Sequence, residues 1–144
     1  MIKTIFNPGN YSQRINLILF ILRLAAGIFM LTHGIGKFEK LFSGEPIQFA
    51  NPIGMGETTS LALTVFAEVC CSILLIFGLA TRFAAVPLMI TMLVAVFIVH
   101  GDDPFGKKEL PSLYFVVYTV IAIAGAGKFS LDHWIHRKMN NTVT

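Results

Sequence analysis

The sequence predicts an all-α integral membrane protein, a single transmembrane domain folded as an antiparallel four-helix bundle with both termini cytoplasmic. Three observations predict it. Of the 144 residues 55% are hydrophobic and 13% charged, where a soluble domain is roughly one-quarter charged. Four windows, about 15–34, 58–78, 83–100 and 110–126, approach the roughly 20 apolar residues that a helix needs to cross a hydrocarbon layer about 30 Å thick. None of the four shows the repeating polar stripe that a helix in a soluble bundle turns to water.

The first 14 residues form a short polar leader with a turn at Pro8 and Gly9. The first window is longer than the apolar part of a secretory signal, and "THGIGKFEK" offers no small-residue cleavage site, so it reads as a retained anchor. Beyond it, "KFEKLF" sets Phe38, Leu41 and Phe42 on one side with Lys37 and Lys40 free to snorkel. This predicts a short interfacial helix over about 37–43. The connection to Glu57 is the longest in the chain, and connections of that length usually carry function or lie against something.

In the second window Cys70 and Cys71 are adjacent, with no C-x-x-C and no distant partner, which defines no disulfide framework. Gly78 is placed to end that helix and Thr81 to cap the next, making "GLATR" a tight hairpin. Pro87 lacks the N–H that would pair with the Phe83 carbonyl. Pro111 is expected in the first turn of the last helix. After Gly127 the chain leaves the lipid through "KFSLDHWIHRKM", where Trp134 suits the headgroup belt and His133, His136, Arg137 and Lys138 suit an anionic leaflet.

The cations orient the bundle. Lys3, Arg14, Arg82, Lys128, Arg137 and Lys138 fall on the side of the termini, against Lys37, Lys40, Lys107 and Lys108 on the other, which favours termini inside. Glu39, Glu45, Glu57, Asp102, Asp103 and Glu109 all fall on the outer side. The net charge of +3 therefore reflects an inner-leaflet preference, with membrane lipids as partners and no nucleic acid implied.

Ionisable groups within hydrocarbon are costly and normally paired. Measured at about 1.5 Å per residue from Ile15 and Gly78, Arg23 lies about 12 Å deep and Glu68 about 15 Å. They are expected to form a buried ion pair, either fixing helix register or making a polar floor for a ligand. The same ruler puts His33 and His100 together about 27 Å along, at the outer interface. Gly27 and Gly34 leave room on the stripe that joins Arg23 to Lys37, either for a neighbouring helix or for a flat ligand. His33, Lys37 and His100, with Tyr114 one turn into the fourth helix, are the candidate ligand-binding residues. Two readings stand for the histidines: capping of helix ends, or donation to the carbonyl of a quinone or similar lipid-soluble molecule. No metal site is assigned, because the H-G-D-D spacing around Asp102 and Asp103 matches no zinc or iron pattern.

The stretches "LRLAAGIFMLTHGIGKF", "FAEVCCSILLIFGLATRFAAVPLMITMLVAVFIVHG" and "GAGKFSLD" resemble, in that order, the DoxX-like family of small four-helix membrane proteins. The resemblance spans roughly residues 17–132 and rests on Arg23, His33-Gly34 to Lys37, Glu68, "GLATR" and "SLD" in combination. It implies a bacterial inner-membrane protein linked to redox systems; one branch is similar to the small subunit of thiosulfate:quinone oxidoreductases, and others to accessory proteins of periplasmic redox enzymes. The chain carries no C-x-x-C, flavin or nicotinamide fingerprint and no haem motif. No covalently bound cofactor is expected, and any electron transfer needs a protein partner. At most, then, the chain is a subunit of a quinone-linked oxidoreductase. The competing expectations are a non-catalytic anchor or assembly partner of an envelope complex and, less favoured by four short helices without repeated halves, a proton or solute pathway.

Overall fold

The computed structural model describes residues 6–141, so Lys3, counted among the inner-side cations, lies outside the described residues. Among these residues the chain is all helical: α1 (Gln13–Phe42), α2 (Glu57–Phe77), α3 (Thr81–Val99), α4 (Phe105–Ala124) and α5 (Leu131–Asn141). Two of the helices change pitch. A π-helical turn, Phe66–Cys71, interrupts α2, and another, Ala95–Val99, ends α3.

α1 packs on α2, α2 on α3 and α3 on α4, while α4 closes only lightly on α1. The shared core runs through Ala26, Met30, Ala67, Cys71, Ala84, Leu88, Met92 and Tyr118. Many of these are small, so the backbones approach closely, as helices do where lipid offers no hydrophobic drive for association. The large apolar side chains point the other way: Ile18, Ile21, Phe29, Phe77, Phe83, Ile90 and Phe97 are all exposed. α1, α2 and α3 are each long and apolar enough to cross a membrane. α4 opens with Lys107, Lys108 and Glu109. Its apolar part, from Leu110 to Ala124, spans only about 22 Å.

The structure corrects two expected boundaries. The separate interfacial helix over 37–43 is the last part of α1, which continues unbroken to Phe42. Nothing near Gly36 forces a break: a Cβ there would meet no atom within 4 Å. α4 begins at Phe105, so Pro111 lies beyond its first turn.

The register of α1 on α2 is set by two glycines. A Cβ on Gly27 would stand 2.7 Å from Ile76 Cγ1 and 3.1 Å from the Ser72 carbonyl oxygen; one on Gly34 would stand 2.8 Å from Val69 Cγ2 and 3.0 Å from the Glu68 carbonyl carbon. The glycine stripe therefore admits a helix and leaves no room there for a flat ligand. It also overturns the expected Arg23–Glu68 ion pair. Glu68 is level with Gly34, and Arg23 with Gly78, whose Cβ position abuts the guanidinium. Those levels are about 16 Å apart along α1. The ruler failed because it equated Ile15 with Gly78, whereas α1 runs about three turns past the end of α2.

At the end of the bundle near Gly78 the termini of α2, α3 and α4 take partners from other segments, as terminal N–H and C=O groups in lipid require. Arg23 donates from Nη1 to the carbonyls of Leu75 (2.5 Å) and Ile76 (2.9 Å) at the end of α2, and from Nη2 to Phe129 (2.7 Å). Arg82 donates to the carbonyls of Ala122 (3.0 Å) and Ala124 (3.2 Å) at the end of α4. The buried carboxylate of Asp132 accepts from Ala80 N (2.6 Å) and Thr81 N (2.9 Å), capping the start of α3. Thr81 was expected to supply that cap, but its buried hydroxyl makes no hydrogen bond. Gly78, at φ 67°, ends α2 as expected, in a conformation that favours glycine.

Asp132→Ala is accordingly expected to cost about 1 kcal/mol or more by stripping α3 of its N-cap. Arg23→Met should cost about 3 kcal/mol, since three carbonyls lose a charged donor. Thr81→Val should be nearly neutral. Thermal unfolding of the purified protein in detergent, followed by circular dichroism, ranks the three.

Candidate functional site

At the opposite end of the bundle, α1 places Lys37, about one turn beyond Gly34, over the buried Glu68. Lys37 Nζ lies 2.6 Å from Glu68 Oε1 and 2.7 Å from Oε2. The Glu68 side chain is 4% exposed and that of Lys37 32%, so the carboxylate is sunk in the bundle and the ammonium covers it. Glu68 thus has its cation, drawn from its own level of α1 and not from Arg23.

The pair forms one wall of a cavity of about 180 Å³. His33, Lys37, Glu68, His100 and Tyr114 supply its polar lining; Met30, Met92, Ala95, Leu110 and Pro111 supply the apolar part. All four sequence candidates, one or more from each of α1, α4 and the end of α3, therefore meet at one space. Both π-helical turns border it: one contains Glu68, and the other begins with Ala95 and hands on to His100, whose backbone N–H donates to the Ala95 carbonyl at 2.9 Å. π turns often mark functional positions in helices.

Each polar group is held from behind. His100 Nδ1 lies 2.8 Å from Asp103 Oδ2, and Lys107 donates to Oδ1 of the same carboxylate at 3.2 Å. Those hydrogen bonds, His100 first and Lys107 second, hold the Asp103 carboxyl below the ordinary carboxylate range. A depressed folded value means that the interaction is present above the ordinary pKa and lost as pH falls through the folded one. His100 therefore stays tethered at neutral pH. With Asp103 ionised, its carboxylate accepts and Nδ1 carries the proton between them. The His33 ring meets Tyr114 edge to face, centroids 6.2 Å apart, and Tyr114 stacks on Tyr118 at 5.8 Å. Lys37 uses two N–H groups on Glu68 and has a third for a ligand.

On the other side of the Lys37–Glu68 pair a second space, about 260 Å³, opens between α2 and α3 beneath Phe49, Ala50 and Pro52. The long connection after α1 thus lies against the site. It is pinned by Lys40 donating to the Gln48 carbonyl, by Phe49 N to Glu57 Oε2 (3.3 Å) and by Gly56 N to Asn51 Oδ1 (3.0 Å). Met92 is a cavity-lining residue that the sequence reading did not single out, and Asp103, weighed there only for a metal, holds His100 instead. The i, i+3 spacing from His100 to Asp103 was a readable signal for that contact.

Breaking the pair by Lys37→Met should cost about 2 kcal/mol, less than a fully buried pair because Lys37 is partly solvated. Lys37→Met with Glu68→Met should recover most of that loss. The corresponding cycle of Arg23→Met with Glu68→Met should be additive to within about 0.5 kcal/mol, as for residues without shared partners. Denaturation of the single and double variants measures both couplings.

Comparison with known proteins adds the family. Residues 18–101 match the DoxX family model, a stretch that includes Arg23, His33, Lys37, Glu68 and His100. The chain is 29% identical over 122 residues to "Putative oxidoreductase CatD" of Bacillus subtilis, covering 84% of this chain and 89% of that one. It is 38% identical over 134 residues to an uncharacterized membrane protein of Mycobacterium tuberculosis, covering 81% and 80%. An uncharacterized protein of Haemophilus influenzae is 32% identical over 127 residues, covering 83% and 92%. No solved structure gives a significant match. With more than half of its length matched by the family model and several outward-facing apolar helices, the chain is a membrane protein that belongs to the DoxX family.

Proposed function

We propose that this protein binds a quinone, or a lipid-soluble redox molecule of similar shape, in the cavity between His33, Lys37, His100 and Tyr114. In this reading it serves as a four-span subunit of a bacterial inner-membrane redox system, with both termini cytoplasmic and the cavity at the outer face. The observation that carries the proposal is the composition of that one space: His33, Lys37, Glu68, His100 and Tyr114 line it together with Met30, Met92, Leu110 and Pro111, at one end of an otherwise apolar bundle. A flat ring bearing two carbonyl oxygens suits such a lining. The name of the Bacillus subtilis relative, an oxidoreductase, agrees with a redox role.

A bound quinone would supply two-electron, two-proton chemistry. The chain's own groups bind and handle protons. Lys37 donates its third N–H to a ring oxygen, His100 accepts a proton from, or returns one to, a ring oxygen at Nε2, and Tyr114 and His33, which meet edge to face, form one wall against the ring. Glu68 keeps Lys37 in place and balances its charge. Electrons enter or leave through a partner protein.

The test is the thermal stability of purified protein with short-tailed benzoquinone and naphthoquinone probes, oxidised and reduced. Ligand at about a hundredfold excess over Kd stabilises by about 2.7 kcal/mol, a rise of several degrees in Tm. Lys37→Ala and His100→Ala should abolish the rise. No shift in the unaltered protein with any of these probes overturns the proposal.

A further inference from the structure

A second, almost purely apolar groove of about 240 Å³ lies between α1 and α4, where these two helices pack only lightly. Leu22, Ala25 and Phe29 line it on one side and Leu113 and Val117 on the other. It meets the polar cavity at Leu110 and Tyr114, which line both. Leu113 and Phe29 are 60% exposed, so the groove opens sideways onto the surface that the apolar girdle turns to lipid. Ala25 and Ala26 keep it open, because larger side chains there would fill the gap between the helices. Behind it Tyr118 Oη donates to the Ala26 carbonyl at 3.4 Å, a weak buried bond that ties α4 to α1.

We infer that this groove receives the isoprenoid tail of the molecule whose ring occupies the polar cavity, so that the ligand enters laterally from the membrane past Tyr114. The inference rests on the quinone reading above and adds the feature that would select a tailed ligand. Its warrant is continuity: a polar cavity joined at Tyr114 to an apolar channel running from Phe29 to Leu22, about 10 Å along α1. A ring and its chain have the same two-part chemistry in the same order. A chain in the groove keeps its apolar surface covered by protein on two sides, whereas one directed to the loop end would meet the charged residues around Asp103 and Lys107.

The experiment compares one quinone ring in two forms, tail-less and carrying several isoprene units, by equilibrium binding to protein in lipid nanodiscs. The tailed form should bind more tightly to the unaltered protein. Ala25→Phe and Val117→Phe, which fill the groove without touching the polar lining, should each weaken the tailed form about tenfold and the tail-less form less than twofold. Ile123→Phe, on the lipid face away from the groove, should change neither. Undiminished binding of the tailed form to both groove variants would overturn the inference while leaving the ring site standing. So would retention of a phospholipid by the unaltered protein that is lost on Ala25→Phe, since an acyl chain would then be the occupant. Failure of both forms to bind the unaltered protein would instead sink the ring site itself, and this inference with it.

Discussion

The contact of α1 with α2 through Gly27 and Gly34 is the constraint on which the remaining geometry depends. Two missing side chains let the backbones close to a distance at which any Cβ would collide with Ser72, Ile76, Glu68 or Val69. That closeness leaves a single register. In it, Lys37 lies over Glu68 and Arg23 lies at the last carbonyls of α2. Both charges thereby find partners inside a membrane protein, but different ones, at opposite ends of the bundle. The buried arginine is a cap on a helix terminus; the buried glutamate is part of a site.

The two ends are consequently built on different terms. At the end near Gly78, Arg23, Arg82 and Asp132 each satisfy a helix terminus that lacks partners of its own, and Asn16 ties α1 to the chain after α4 by accepting from Lys128 N at 2.9 Å. Polarity there is consumed by the backbone. At the other end, His33, Lys37, His100 and Tyr114 line one cavity, with hydrogen-bonding capacity left over after Asp103 and Glu68 have taken their share. Unspent donors and acceptors beside an apolar floor are what a ligand with both characters requires.

Much of this was legible in the residues. Hydropathy located the apolar segments that become α1 to α4 and put His33 and His100 at the same end of the bundle, where both line one cavity, although the common origin assumed for their depths does not hold. Tyr114 followed from its place one turn into the apolar part of the last helix. The pairing of Arg23 with Glu68 failed for a physical reason: hydropathy fixes where a helix enters lipid only to within a turn or two, and an antiparallel register needs better than that. The glycine stripe held the missing information, yet a glycine read alone does not say whether a helix or a ligand fills the space. The cap on α3 failed similarly, since Thr81 is local and Asp132 is 51 residues away. The π turns left no readable mark: neither "FAEVCC" nor "AVFIV" contains the glycine or proline that would signal a change of pitch.

The central claim is that Glu68 answers to Lys37 in a cavity wall, and the most direct measurement of it is an internuclear distance in bilayers. Solid-state NMR dipolar recoupling, with lysine labelled at 15Nζ, arginine at its guanidinium nitrogens and glutamate at 13Cδ, reads the nitrogen nearest the Glu68 carboxylate. The structure predicts strong coupling to a lysine ammonium that sits 2.6 and 2.7 Å from the two carboxylate oxygens, abolished by Lys37→Met. Coupling of that carboxylate to an arginine guanidinium, or to no nitrogen at all, would contradict it.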